Sequence, residues 1–253
     1  IGLSAGNPLN DTEKRNALDS PIASWLRDRS EDTYGDLWPK YLSKSKIDRM
    51  EDTKMLTKVF VHLSRVLVPK EKDLGETSLN HFFEKGVGRI DLDDVTAYKK
   101  EELNRVINIM SHVEEATKAA HLKRPIPYKT FWALIFASTH VYDNSLKVAD
   151  YAKFFESVYN LEQKIERKTK RDQARDIEEN EKKHASVLSE EELEAKLSEE
   201  FKDDNYYWRW INRNVSYKFR DQRMEMFIEN LKSSEEFENC LMDTLSEIIE
   251  EAA

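Results

Sequence analysis

The chain has 253 residues, of which 35% are charged and 10% aromatic, and its formal net charge is −9. This composition predicts a folded protein of one large domain or two small ones, and the negative charge excludes a surface that coats DNA generally but leaves room for a local basic face. The only cysteine, Cys240, excludes an internal disulfide and predicts a cytoplasmic protein, and no apolar run reaches the length of a membrane span.

Helical patterns begin near the start of the chain. The chain has only six glycines and six prolines, so turns are few and the elements are long. Asn10 and Glu13 have the spacing of a capping box, which predicts a helix from Asp11. Ser20 and Pro21 read as the cap and first residue of a second helix, to about Arg29. The polar residues of the first helix either only cap it or line a site shared with residues upstream.

The next segments also have helical spacing. Tyr34, Leu37, Trp38 and Tyr41 form an aromatic cluster around Pro39. Further helices are predicted over Lys46–Leu67, which ends before Pro69, over Thr77–Lys85, and from a cap at Asp93 or Asp94 up to Ala120. The sequence therefore predicts an all-α protein, a multi-helix bundle with no significant sheet.

The segment Thr130–Tyr142 is apolar on nearly all sides. It is too short to cross a bilayer, so it is predicted to be the central buried helix of the bundle. His140 lies inside it and is either a hydrogen-bonded core residue or a base. Val148–Ile165 is amphipathic and predicts the helix that follows.

The character of the chain changes after residue 165. Apolar residues nearly vanish from Lys164 to Lys183, which indicates a solvated helical extension or linker, with a phosphate-contacting arm as the alternative. We therefore predict a main helical domain over 1–165, a charged extension over 166–188 and a C-terminal helical subdomain over 189–253. That subdomain opens with a capping box at Ser189 and ends with a helix over Glu235–Glu251.

The search for catalytic motifs is negative. The sequence contains no phosphate-binding loop, no G-x-G-x-x-G, no Cys-x-x-Cys and no His-Glu-x-x-His. His81 and Glu84 share a helix face, but two ligands do not make a metal site. We predict no catalytic residue, no metal ligand and no cofactor, and whether the protein is an enzyme stays open.

The most distinctive late feature is the segment from Tyr206 to Arg223, in which aromatic and basic side chains alternate. Such side chains stack on bases and bind phosphates, so the segment is a candidate for nucleic-acid binding. The alternative is that the aromatic residues belong to the core and the arginines bind some of the many carboxylates. The candidates are Arg209, Arg213, Lys218, Arg220, Arg223, Trp208 and Tyr217.

A stretch near the start, GNPLNDTEKRNAL, resembles a segment of bacterial proteins with a ParB/sulfiredoxin-like N-terminal domain. This group includes the GmrSD restriction enzymes and the SspE phage-defence proteins. The residues Ile47–Phe60 look like the next long helix of that family. The matching residues are Gly6, Pro8, Leu9, Asn10, Glu13, Arg15, Asn16 and Ala17.

The resemblance implies that this chain is only the helical part of such a protein. The family carries an Asp-Gly-Gln-Gln-Arg motif in its N-terminal domain, and that motif is not present in these 253 residues. The implied nucleotide-hydrolysing or DNA-cleaving activity would then lie upstream, and the implied partners are the N-terminal ParB-like domain and DNA. Two functions compete: a helical scaffold that senses nucleic acid, and a protein–protein interaction module with no nucleic-acid role.

Overall fold

The computed structural model describes residues 21–65, 67, 72–85, 97–122, 125–165 and 217–241. Two short turns of other helical types, a π turn at Arg29–Thr33 and a 3-10 turn at Trp38–Lys40, connect the α-helices near the start. The α-helices are α1 (Pro21–Asp28), α2 (Lys44–Ile47), α3 (Glu51–Leu63), α4 (Glu76–Lys85), α5 (Ala97–Ala119), α6 (Tyr128–Asp143), α7 (151–165), α8 (Tyr217–Lys232) and α9 (Glu235–Glu238).

The prediction of an all-α fold is confirmed. Across the described ranges there is no β-strand, and the one isolated β-bridge there joins Val148 to Leu241. Helical periodicity and the shortage of glycine and proline therefore predicted the fold class correctly. Within the same ranges, no helix is both long enough and apolar enough to cross a bilayer.

Helix α6 lies at the centre of the core, as its apolar sequence predicted. Residues 130–139 of this helix are all buried, which leaves no solvated face on that stretch. Helix α5 packs along one side of α6, and α8 packs on another. The described part of the predicted subdomain 189–253 therefore packs directly on the main helical domain, and the predicted extension 166–188 lies outside the described residues.

The aromatic cluster predicted around Pro39 joins the first helices to α6. The Trp38 and Tyr41 rings contact Phe131, with centroid separations of 6.0 and 5.2 Å. The indole N–H of Trp38 donates to the Ser30 carbonyl at 3.0 Å, and the Ser30 hydroxyl donates to Asp52 at 2.9 Å. The π turn is thereby fixed between α3 and the centre of the bundle.

The predicted continuous helix Lys46–Leu67 is wrong at its start. Helix α2 ends near Ile47, and Met50 has the left-handed conformation, with φ of 58°, before α3 begins at Glu51. A left-handed residue commonly ends a helix, and the acidic pair Glu51–Asp52 suits the positive end of the next helix dipole. Apolar spacing continues through this junction, so periodicity alone did not reveal the break.

Two predicted helix ends also differ from the structure. Helix α3 stops at Leu63, because the backbone turns away and the N–H of Arg65 donates to the Glu102 carboxylate at 2.8 Å. The helix predicted over Glu235–Glu251 is interrupted after Glu238, where Leu241 forms the bridge to Val148, and the part of this prediction over 242–251 lies outside the described residues. At both positions, tertiary hydrogen bonds interrupt a helix that the apolar pattern would continue.

The C-terminus of α6 provides a stability prediction. Ser145 has φ of 53°, its N–H donates to Tyr142, and the N–H of Leu146 donates to Val141. This is a Schellman motif, in which glycine is the favoured residue at the left-handed position. Because the exposed Ser145 side chain loses no packing, Ser145→Gly is expected to raise the free energy of unfolding by about 0.5–1 kcal/mol.

Urea denaturation of the wild type and two variants checks this prediction. Ser145→Val is the matched control, because a β-branched residue resists positive φ and is expected to destabilise the protein by about 1 kcal/mol. Equal midpoints for the glycine and valine variants would contradict the assignment of strain to Ser145.

Candidate functional site

The structure describes only some of the residues that the sequence singled out. The family-motif residues Gly6, Pro8, Leu9, Asn10, Glu13, Arg15 and Asn16 lie outside the described residues, as do Trp208, Arg209 and Arg213. Tyr217 and Lys218 form part of the first turn of α8. Arg220 and Arg223 follow in the same helix, and both are described with their side chains.

Arg220 and Arg223 are buried rather than displayed on a basic surface. Each is only 1% exposed. They lie on the same stripe of α8 as the buried residues Phe227 and Leu231, with spacings of three or four residues. This stripe is the face that α8 turns toward α6 and the core. An exposed basic face that contains all five predicted cations is therefore excluded.

Both arginines connect α8 to other elements. The guanidinium of Arg220 donates a hydrogen bond to the backbone carbonyl of Lys72, in the segment before α4. The guanidinium of Arg223 lies over the ring of Phe136 in α6, 5.9 Å from its centroid. Such a cation–π contact strengthens when it is removed from water. These two residues thus fix the first half of α8 against the core.

A buried histidine lies where these elements meet. His62, near the C-terminus of α3, is 4% exposed. Its imidazole contacts the rings of Trp132 and Phe136, with centroid separations of 5.5 and 5.7 Å. Four cationic side chains lie within electrostatic range of it. We call the five residues the His62 cluster: His62, Lys72, Arg105, Arg220 and Arg223.

The His62 cluster concentrates positive charge. Burial holds the pKa of His62 well below its usual value, and the charges of Arg220, Lys72, Arg105 and Arg223 act in the same direction. The imidazole is therefore neutral at pH 7, while the surrounding arginines keep their charges. Carboxylates lie among these cations, since Arg105 binds Asp143 and both Asp221 and Glu102 act on Lys72, so part of the positive charge is offset.

Acid is expected to destabilise the protein through His62. The unfolded chain binds a proton near pH 6.5, whereas folded His62 resists it, so the folded state binds fewer protons below that pH. The contribution of His62 is therefore complete above about pH 6.5, and each unit below it removes up to about 1.4 kcal/mol until the folded-state pKa is reached.

Urea denaturation at several pH values between about 7 and 5 measures this loss. His62→Phe keeps an aromatic ring against Trp132 and is expected to reduce the acid sensitivity. His121→Asn is the control, because His121 is exposed and asparagine tolerates its positive φ. The same pH dependence in wild type and His62→Phe would contradict the assignment.

Arg105 anchors the cluster on the side of α5. Its guanidinium binds Asp143 in a bidentate arrangement, with Nε–Oδ1 and Nη2–Oδ2 distances of 3.1 and 2.7 Å. Its Nη1 donates to the Leu63 carbonyl at 2.6 Å, at the C-terminus of α3. Arg65 also binds Asp143, at 2.9 Å. This network joins the ends of α3 and α6 to α5.

Lys72 is the member of the cluster that sequence reasoning missed most completely. It lies in a charged stretch after Pro69 that resembles an ordinary solvated loop. In the structure it is only half-buried, and burial lowers the pKa of its ammonium; Arg105 and Arg220 lower it further, whereas Asp221 and Glu102 raise it. Its proximity to the arginines depends on chain folding, and no local pattern signals it.

The other polar side chains of the described residues make structural contacts or lie near the protein surface. Glu162 in α7 is buried and accepts hydrogen bonds from Thr130 and Gln163, and Lys129 lies 3.2 Å from it. His140 is near the protein surface and contacts Asn144. Among the described residues, no three His, Cys, Asp or Glu side chains are grouped so that they could hold a metal ion.

The geometry thus assembles one concentration of chemistry-bearing residues, the His62 cluster, beside the start of α8. The sequence named two of its members, Arg220 and Arg223, as candidates for a basic surface. In the structure both lie on the buried face of α8. In comparisons with known proteins, the chain matches no family model, no curated protein and no solved structure.

Proposed function

We propose that this chain is the helical, nucleic-acid-sensing part of a restriction or phage-defence protein of the ParB-like type. The family part of this proposal depends on the resemblance of residues 6–17 described above. The catalytic activity that the family implies is assigned to an N-terminal ParB-like domain, and this chain contributes a scaffold and a nucleic-acid contact.

The observation that carries the nucleic-acid part is the His62 cluster. Four cations converge there from three places in the fold, namely the segment before α4, helix α5 and helix α8. Nucleic-acid affinity depends mainly on cations near phosphates, and local positive potential matters more than net charge. The cluster brings four cations together, with Asp143, Asp221 and Glu102 offsetting part of their charge, and this local gathering of cations supports the proposal.

The position of the cluster supports the same proposal. The segment with alternating aromatic and basic residues leads directly into α8, and Lys218 is only two residues from buried Arg220. Arg220 and Arg223 hold the start of α8 against the rest of the core. A rigid support lowers the entropic cost of binding. In this proposal Arg209, Arg213 and Lys218 contact phosphates, and Trp208 and Tyr217 stack on bases.

The burial of Arg220 and Arg223 favours the second candidate, a protein–protein interaction module. Each is 1% exposed and anchors α8 to the core, which is a structural role. Under this alternative, the remaining aromatic and basic residues of the segment bind a protein partner or the core. The two functions predict different salt dependences of DNA binding, and different effects on that binding when surface cations are removed.

The test measures binding of a short labelled DNA duplex, and of the corresponding single strand, across a series of salt concentrations. For about three phosphate contacts, the slope of log K against log salt is expected to be roughly −2 to −3. A triple variant, Arg209→Ala, Arg213→Ala and Lys218→Ala, is expected to lose most of this slope. It spares Arg220 and Arg223, whose removal would disturb the fold.

The matched control removes three other cations, through Lys40→Ala, Lys44→Ala and Lys46→Ala. These lysines are exposed and lie outside the His62 cluster, and their loss changes the net charge equally. The control is expected to bind like the wild type. If wild type does not bind at low salt, or if both triple variants bind equally, the interaction-module function replaces this one.

A further inference from the structure

A cleft of about 540 Å³ lies between helix α7 and helix α9, and it shares no residue with the His62 cluster. Clefts of roughly this size hold small molecules in many proteins. The Phe237 ring of α9 contacts the Phe154 ring of α7, with a centroid separation of 5.8 Å. The Cys240 carbonyl accepts hydrogen bonds from the N–H groups of Ala149 and Asp150, at 2.9 and 3.3 Å. These contacts fix α9 against α7, so the cleft is formed before a ligand binds.

The two walls of the cleft carry the same pair of polar groups, a carboxylate and a carboxamide. Glu156 and Asn160 are four residues apart on α7, and Glu236 and Asn239 are three residues apart at α9, so each pair shares one helix face. All four residues are exposed. Within the part of the chain that the structure describes, none of these four side chains forms a hydrogen bond or an ion pair. Their oxygens are therefore available to a ligand.

The other two lining residues are already bound to the protein. Ser157 is 4% exposed, and its hydroxyl donates to the Phe154 carbonyl at 3.0 Å. The Lys153 ammonium lies 3.5 Å from the Asp150 carboxylate, which offsets its charge. The two carboxylates of the walls have no such partner, so the cleft favours a cationic ligand.

The chemistry of the walls favours an organic cation over a metal ion. The cleft offers two carboxylates, and no group of three His, Cys, Asp or Glu side chains that could hold a metal occurs among the described residues. An ammonium group instead donates up to three hydrogen bonds, and carboxylate and amide oxygens both accept them. Hydrogen bonds from an ammonium to a carboxylate are among the stronger ones in proteins. Each wall therefore suits one ammonium group.

We propose that this cleft binds a linear organic diamine, with one ammonium group on each wall. One ammonium donates to Glu156 and to the amide carbonyl of Asn160, and the other donates to Glu236 and Asn239. The methylene chain of the ligand crosses the cleft between them. This site uses none of the residues assigned to nucleic-acid binding, so it is independent of the proposed function.

Isothermal titration calorimetry of the full chain tests the site, with α,ω-diaminoalkanes from diaminopropane to diaminohexane as probes. Saturable binding with one molecule per chain is expected, and the affinity is expected to pass through a maximum at the chain length that matches the cleft. Butylamine has a single ammonium group and is expected to bind about tenfold more weakly than the best diamine.

Two variants remove one carboxylate each, Glu156→Gln and Glu236→Gln. Each is expected to weaken diamine binding by about threefold to tenfold, since these carboxylates are exposed and water screens part of the attraction. The matched controls are Glu101→Gln and Glu225→Gln, at exposed positions of α5 and α8. They change the net charge equally and are expected to bind like the wild type.

A gain-of-binding variant covers the case in which a glutamine variant melts early. Asn160→Asp adds a carboxylate to the α7 wall and is expected to tighten diamine binding severalfold. Unchanged or weaker binding in this variant would overturn the assignment of Asn160 to the site. Circular dichroism and the melting temperature of each variant show whether the fold is retained.

The remaining outcomes also decide the proposal. A lack of saturable binding for every diamine at millimolar concentrations overturns it. Equal weakening in the cleft and control variants also overturns it, because it would show general attraction to an acidic chain. Saturable binding of Ca²⁺ that is lost in Glu156→Gln and Glu236→Gln would assign a metal instead. Tighter binding of a diamine than of butylamine, weakened only by the two cleft variants, supports the site.

Discussion

Trp132→Ala is expected to lower the free energy of unfolding by about 3–5 kcal/mol, the range for deleting a large aromatic side chain from a packed core. Trp132 is 2% exposed in the middle of α6. Its ring contacts the rings of Phe136 and His62, so its removal opens a cavity between α6 and the end of α3. Urea denaturation followed by far-ultraviolet circular dichroism measures the loss.

Two controls show whether the loss comes from burial. Trp132→Phe retains a ring and is expected to cost about 1–2 kcal/mol, because the cavity is smaller. Trp25→Ala removes an indole that is only partly buried, at the edge of Phe60, and is expected to cost less than Trp132→Ala. An unchanged denaturation midpoint in Trp132→Ala would mean that α6 is not the centre of the core.

Arg105→Ala is expected to lower the free energy of unfolding by about 2–4 kcal/mol. The substitution removes a bidentate contact to Asp143 and a donor to the Leu63 carbonyl, and the Arg105 side chain is 7% exposed. Asp143 would keep Arg65 and is 32% exposed. The loss of stability in Arg105→Ala is therefore expected to be smaller than the loss from leaving a fully buried carboxylate without any partner.

Arg65→Ala is the matched control, because it removes the other arginine from the same carboxylate. The Arg65 side chain is 50% exposed, so its ion pair is worth at most about 1 kcal/mol. The bond from its backbone N–H to Glu102 remains. Denaturation midpoints for both variants test the comparison, and equal losses would contradict the view that burial gives Arg105 its importance.

The contrast between the two arginines bears on the proposed function. Arg105, Arg220 and Arg223 are buried structural cations, and their alanine variants are expected to lose stability, which would also lower binding indirectly. For this reason the nucleic-acid experiments use Arg209, Arg213 and Lys218 instead. A binding defect in those variants with an unchanged melting temperature is direct evidence for phosphate contacts.

The sequence predicted two residues of the candidate site, Arg220 and Arg223, but it was not used to predict which way their side chains face. Arg220 and Arg223 were recognised as members of a basic segment. Their spacing with Phe227 and Leu231 was a usable signal, since residues at such intervals share one helix face. A basic residue on an apolar stripe indicates burial, and that reading would have placed both arginines against the core.

By itself, the sequence determined the fold class and the central helix. Few glycines and prolines, helical spacing of apolar residues and a segment without a polar side sufficed to predict an all-α bundle built around α6. These are local properties, because the period of a helix and the absence of a solvated face are both visible within a few turns.

Only the tertiary structure decided where helices break and which charges meet. The chain turns at Met50 and leaves α3 after Leu63, although the apolar pattern continues through both positions. The His62 cluster unites residues 62, 72, 105, 220 and 223, which no local pattern connects. Periodicity shows which face of a helix is buried, but not which face of another helix covers it. That pairing depends on the packing of the whole core, and here it brings four cations to one histidine.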